Sequence, residues 1–126
     1  MAEIVVEKRY PGERLDIREF VRPNTPMVRE LVARLGPRPP IDYWRWVIEN
    51  IRYPWGREDV MDLHQEGRYL RRDGTAFLIE QTTNEFWEYP SEVLRDRIAD
   101  CEGSAALLVS CLRHFFPPDR VFCTVG

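Results

Sequence analysis

Apolar residues recur at helical spacing in three separate stretches of this chain, and polar or proline-bearing residues divide them. In the first, Val28, Leu31, Val32 and Leu35 form one stripe, which predicts a helix facing a core on that side. Thr25 is the expected N-cap, Pro26 suits the first helical position, and Gly36-Pro37 stops the run. Pro39-Pro40 then makes a stiff linker. The second stretch places Trp44, Val47, Ile48 and Ile51 on one face, predicted to point into the core. Asp42 is its expected cap, with Ile41 stapling to Trp46, and Tyr53-Pro54-Trp55-Gly56 ends it. The third, WEYPSEVLRDRIADCEGSAALLVSCLRHFF over residues 87–116, reads as a short helix, a break and a longer helix. Ser91 is the expected cap of the short one, whose apolar contacts come from Val93, Leu94 and Ile98. The longer one opens at Asp100-Cys101. Its Ala105, Leu108, Leu112 and Phe115 recur at helical spacing, so it is expected at the centre of the core.

Alternation of period two is weaker. Residues 3–8 (EIVVEK) form a strand candidate ended by Pro11-Gly12, and the polar piece through Pro23 reads as a surface connection. Asp73-Gly74 is a two-residue hairpin turn between strand candidates 67–72 and 75–81, so a hairpin or lid is expected within 57–85. Pro117-Pro118 breaks the chain after the long helix, and residues 121–125 begin another strand candidate.

The length of 126 residues suits one domain with one core, 1–126. A formal charge of −3 does not suggest wholesale binding to nucleic acid or to anionic membranes. No apolar run is long enough to span a bilayer and no signal-peptide pattern opens the chain, so a cytoplasmic location is the default expectation. Cys101, Cys111 and Cys123 are odd in number and form no C-x-x-C pair, which argues against a disulfide framework or a zinc cluster. The spacing of Asp59, Asp62 and Glu66 matches no ligand pattern and reads as a solvated face. No metal and no organic cofactor is expected.

Cys101 is where chemistry concentrates. Asp100 as N-cap would accept the Gly103 N–H and put the thiol in the first turn of a helix, where the dipole favours thiolate. Asp100 and Glu102 act against this, because nearby carboxylates repel a thiolate. The alternative is an inert buried thiol, the ordinary condition of a free cysteine and the expectation for Cys111 and Cys123. His64 reads as a surface histidine or as a base or metal ligand brought in by the 57–85 segment. His114 suits a helix C-terminus.

The run 87–113 closely resembles the transglutaminase-like superfamily, whose members carry Trp, then Pro, Glu-x-Leu, Gly-Asp-Cys and an Ala/Leu-rich helix ending in Leu-Arg. Trp87, Pro90, Glu92, Leu94, Asp100, Cys101, Ala105, Leu108, Leu112 and Arg113 fall on that pattern. The resemblance implies an α+β, papain-like fold, here mostly helical, with a central Cys-bearing helix, a hairpin and an incomplete antiparallel sheet. It implies thiol-dependent acyl transfer or amide hydrolysis on a protein or peptide substrate. Cys101 matches the nucleophile, with Trp87 and Asp100 supporting. Ala99 stands where the family commonly has Gly, which is tolerable unless the backbone there needs a positive φ.

In that family a His and then an Asp or Asn follow on strands beyond the helix. Here the only later histidine is His114 on the same helix, about 20 Å along its axis from Cys101 and out of reach. Residues 121–125 correspond to the strand before the His strand, which puts the triad partners past Gly126. Three expectations follow: a fragment of a longer enzyme, a short chain that has lost catalysis and serves as an interaction module, or a site completed by a second chain. An unfinished sheet edge invites a homo-oligomer through the C-terminal strand.

Overall fold

The computed structural model describes residues 14–53 and 87–124 in full, together with the backbone of three short strands in the remainder. The described residues are mostly helical, and their helices surround one buried rod. The elements run β1 (Val5–Val6), β2 (Leu15–Asp16), a 3-10 turn (Ile17–Phe20), α1 (Pro26–Leu35), α2 (Pro40–Asn50), β3 (Tyr69–Leu70), β4 (Ala76–Leu78), α3 (Pro90–Asp96) and α4 (Cys101–Leu112). α1, α2 and α3 each pack on α4. Their shared core holds Val28, Leu31 and Val32 of α1, Tyr43 and Val47 of α2, Val93 and Leu94 of α3, and Leu107, Cys111 and Leu112 of α4.

The first helix follows its pattern. Pro26 opens it and Gly36 closes it with φ +76, a value at which glycine carries no Cβ penalty. The Thr25 hydroxyl donates back to the Arg22 carbonyl (2.9 Å) and so does not cap the helix. Tyr43 then ties α1 to α2, its hydroxyl donating to the Gly36 carbonyl at 2.6 Å.

α2 departs from the expected facing. It starts at Pro40 with Pro39 as N-cap, so Asp42 lies in the first turn instead of capping. The buried side is Tyr43, Val47 and Ile51, whereas Trp44 and Ile48 are 49% and 56% exposed. Apolar residues cover more than half of this helix's circumference, and pattern alone does not show which half packs. Tyr43 takes the inward position because its hydroxyl has the Gly36 carbonyl to satisfy it. Ile41, expected to staple to Trp46, is 52% exposed, and Trp46 instead lies under the Arg97 guanidinium, 5.0 Å from its ring centroid.

Residues 14–23 are more than a surface connection. β2 pairs antiparallel with β1, Val6 opposite Leu15, and the following turn drives Phe20 into the core at 1% exposure. The expected hairpin is present in its backbone pairing, Tyr69 opposite Leu78 and Leu70 opposite Ala76, with its turn outside the described residues. In the last segment, residues 121–124 carry no strand. The Val121 carbonyl is taken by the Arg113 guanidinium at 3.0 Å, which folds this piece back toward the end of α4.

Candidate functional site around Cys101

Pro90 opens α3 with Tyr89, not Ser91, as N-cap, and Glu92 Oε1 accepts the Tyr89 N–H at 2.8 Å. α3 stops at Arg97, the one non-glycine described residue with positive φ (60°), whose N–H still reaches the Val93 carbonyl. The next two residues run extended against the end of α2. Arg52 N–H donates to the Arg97 carbonyl at 2.9 Å, and Ala99 N–H donates to the Arg52 carbonyl at 3.0 Å. Ile98 and Ala99 are both buried, so this link fixes where α4 begins. The backbone at Ala99 has no positive φ, and alanine in place of glycine carries no strain there.

Asp100 stands at the N-cap, but its side chain makes no capping hydrogen bond to α4, contrary to the expectation for Gly103. Cys101 is the first residue of α4 and is exposed. Its thiol donates to Glu102 Oε2 at 3.2 Å. The thiol's pKa is raised, first by that hydrogen bond, then by burial and by the charges of Glu102 and Asp100. Glu102 itself is pushed up to about 7 by burial and by Asp100, whose carboxyl shares a hydrogen bond with it. The proton stays on sulfur. The carboxylates outweigh the dipole.

A third acid closes the cluster from behind. Glu88, one residue after Trp87, is 1% exposed and is held well above the usual carboxylate range, chiefly by burial and next by Asp100. Its carboxyl lies against Gly103 in the first turn of α4. A methyl group at Gly103 would collide with Glu88 Oε2 and lie 2.9 Å from the Ala99 Cβ, so this close approach requires glycine. Pattern reading missed Glu88, since a glutamate between two aromatics carries no sign of burial. Gly103 did carry one: a glycine in the first turn of an otherwise good helix marks a close neighbour.

Trp87 is half-buried and meets Phe20 edge-on at 5.3 Å between ring centroids. Tyr89 stacks on Phe20 at 5.0 Å, with the Arg22 guanidinium 3.8 Å from the Tyr89 centroid. Arg22 N–H donates to Ser110 Oγ (2.9 Å), which donates on to the Ala106 carbonyl (2.6 Å). Trp87 thus belongs to a packed aromatic group. His114 lies past the far end of α4, where its Nε2–H donates to the Pro23 carbonyl at 2.6 Å. It is not brought to Cys101. His64 and the acidic trio Asp59, Asp62 and Glu66 lie outside the described residues. Cys111 is buried and pushed up to about 12 by burial, and Cys123 is also raised by burial.

Cys101, Ser104, Ala105 and Leu108 fall at i, i+3, i+4 and i+7, one face of α4. The last three line an apolar groove of about 710 Å³ together with Trp44, Ile48, Ile51, Arg52 and Tyr53. Among the described residues no group of three His, Cys, Asp or Glu is arranged to hold a metal ion, and no helix is long and apolar enough to cross a membrane. No protein-family model matches the chain, and none of the curated proteins or solved structures compared with it does.

Proposed function

We propose that this chain carries the nucleophile-bearing part of a transglutaminase-like, papain-like α+β domain, whose chemistry is thiol acyl transfer or amide hydrolysis on a protein or peptide substrate. One observation carries the reading: an exposed sulfur on the first residue of the helix against which the other three pack. In such chemistry the thiolate attacks a carbonyl, and the backbone N–H groups of a helix's first turn stabilise the oxyanion. Trp87 and Asp100 support the site, Trp87 through its packing on Phe20 and Asp100 as the N-cap residue. The described residues bring no imidazole to Cys101, and its carboxylate neighbours keep the thiol protonated. On this reading the described residues alone do not complete a catalytic triad.

That same suppression favours a second reading, a protein-interaction module built on this fold. An activated acyl donor separates the two. If Cys101 serves as nucleophile, a p-nitrophenyl ester acylates it in Glu102→Gln faster than it acylates an unstructured cysteine peptide at the same pH, and adding Cys101→Ser abolishes the adduct seen by mass spectrometry. A rate no higher than the peptide's, in wild type and in Glu102→Gln alike, rejects the enzyme reading and leaves the module.

A further inference from the structure

The chain enters α3 through an extended piece whose burial alternates: Trp87 is half-buried, Glu88 buried, Tyr89 half-buried and Pro90 buried. Successive side chains of an extended segment point to opposite sides, so Trp87 and Tyr89 share one face and Glu88 takes the other. Phe20 occupies the first face. Its ring lies 5.3 Å from that of Trp87 and 5.0 Å from that of Tyr89, so one side chain holds both neighbours of the buried acid. The second face lies on α4, where the Glu88 carboxyl rests against Gly103. A slip of one residue would exchange the two faces and turn Glu88 toward Phe20.

Phe20 is itself tied down. Arg22 N–H donates to Ser110 Oγ, and Gly103 and Ser110 fall at i and i+7, on one side of α4. The Arg22 guanidinium covers the Tyr89 ring, and His114 holds the Pro23 carbonyl. Residues 16–23 thus form a strap across the segment that carries Glu88. We infer that this strap governs the first turn of α4, with Phe20 as a positioning residue that holds Glu88 beneath Gly103 and so keeps the contact between Cys101 and Glu102 in place. The inference rests on the reading of Cys101 as a nucleophile and names a control on it. A carboxyl kept from water moves toward solvent and ionises once its facing is no longer enforced. Its departure leaves space under Gly103, the turn that carries Cys101 and Glu102 loosens, and the thiol gives up the hydrogen bond that suppresses it.

Iodoacetamide labelling of the whole chain near neutral pH, read residue by residue by mass spectrometry, tests the inference. Phe20→Leu keeps the position apolar but loses both ring contacts, and Cys101 is expected to react several-fold faster while Cys111 stays unlabelled. In Glu88→Gln, whose amide has no charge to draw it into water, adding Phe20→Leu is expected to leave the Cys101 rate nearly unchanged. A ring needed only for stability would act alike in both backgrounds. Leu112→Val, a core loss at the far end of α4, is expected to leave Cys101 at the wild-type rate. Should circular dichroism show Phe20→Leu unfolded, Arg22→Gln loosens Tyr89 from the exposed side and carries the same comparison. A Cys101 rate unmoved by the strap variant, equal acceleration in the Glu88→Gln background, the same acceleration from Leu112→Val, or labelling of Cys111 alongside each overturns the inference. Alkylation needs no acyl chemistry, so these outcomes stand apart from the ester test of the nucleophile.

Discussion

The two halves of α4 are one helix with two chemistries. From Ala106 to Leu112 all residues but Leu108 are buried, and Cys111 there is an inert thiol because no water reaches it. From Cys101 to Ala105 only Gly103 is buried, and Cys101 is held protonated by the acids around it, with the Glu102 carboxyl foremost. The same residue type is suppressed at both ends, by dielectric in one and chiefly by the hydrogen bond to Glu102, backed by burial and acidic charge, in the other. Suppression by burial is fixed by packing. Suppression through the Glu102 carboxyl is reversible by one substitution, so the first turn of α4 is where the reactivity of this protein can be altered without unfolding it.

The largest contrast is in stability. Leu107, with no exposed surface, touches the cores of the packed helices, and Leu107→Ala should cost about 3 kcal/mol by urea unfolding. Ala105→Ser, on the exposed side of the first half, should stay within about 0.5 kcal/mol of wild type. Equal losses would mean that the two halves are not distinct. Next comes Gly103→Ala, which forces a methyl group into Glu88 and Ala99 and should cost about 2 kcal/mol. Trimming the acid with Glu88→Ala in the same chain should recover part of that loss, which a double-mutant cycle measures. Strict additivity would show that Glu88 does not set the spacing at Gly103.

This division also marks how far the sequence was readable. α1 and the hairpin pairing follow from spacing, glycine and proline, and the start of α4 at Cys101 from Asp100 in the N-cap position, because each is a local signal. The facing of α2 was not readable. Its apolar residues occupy both sides, and the Gly36 carbonyl, a partner outside the helix at the end of α1, selects Tyr43 over Trp44. Leu108 and Ala105 were expected at the centre of the core, but α4 packs on three helices and leaves that one face toward the groove. At the site, Cys101 and its acidic neighbours were visible in sequence. Glu88 arrives from before α3, and nothing adjacent in the chain announces it.

The acid cluster gives the first turn a pH response that the second half lacks. Glu102 in the folded chain titrates near 7 against 4.5 in its absence of burial and partners. A group with a raised folded pKa contributes stability that is fully present below the unfolded value and is lost as pH rises through the folded one. Stability should therefore fall between about pH 4.5 and about 7 on this account, with Glu88 adding to the fall because its shift has the same sign. Urea midpoints of Glu102→Gln across this range should fall less than those of wild type. An identical slope would remove Glu102 from the cluster's electrostatics.

The smallest effect on stability is the most informative about chemistry. Only the thiolate is alkylated, and Glu102 both accepts the Cys101 proton donor and repels the negative sulfur. Glu102→Gln removes the charge while keeping the size, so Cys101 should react with iodoacetamide several-fold faster at neutral pH, with unfolding barely changed. Cys111 should remain unlabelled in both proteins until urea opens the core, since burial rather than charge protects it. If Glu102→Gln left the Cys101 rate unchanged, something other than its carboxylate would be holding the proton. If it accelerated Cys111 as well, the two halves of α4 would be opening together, and the separation of packing from reactivity would fail.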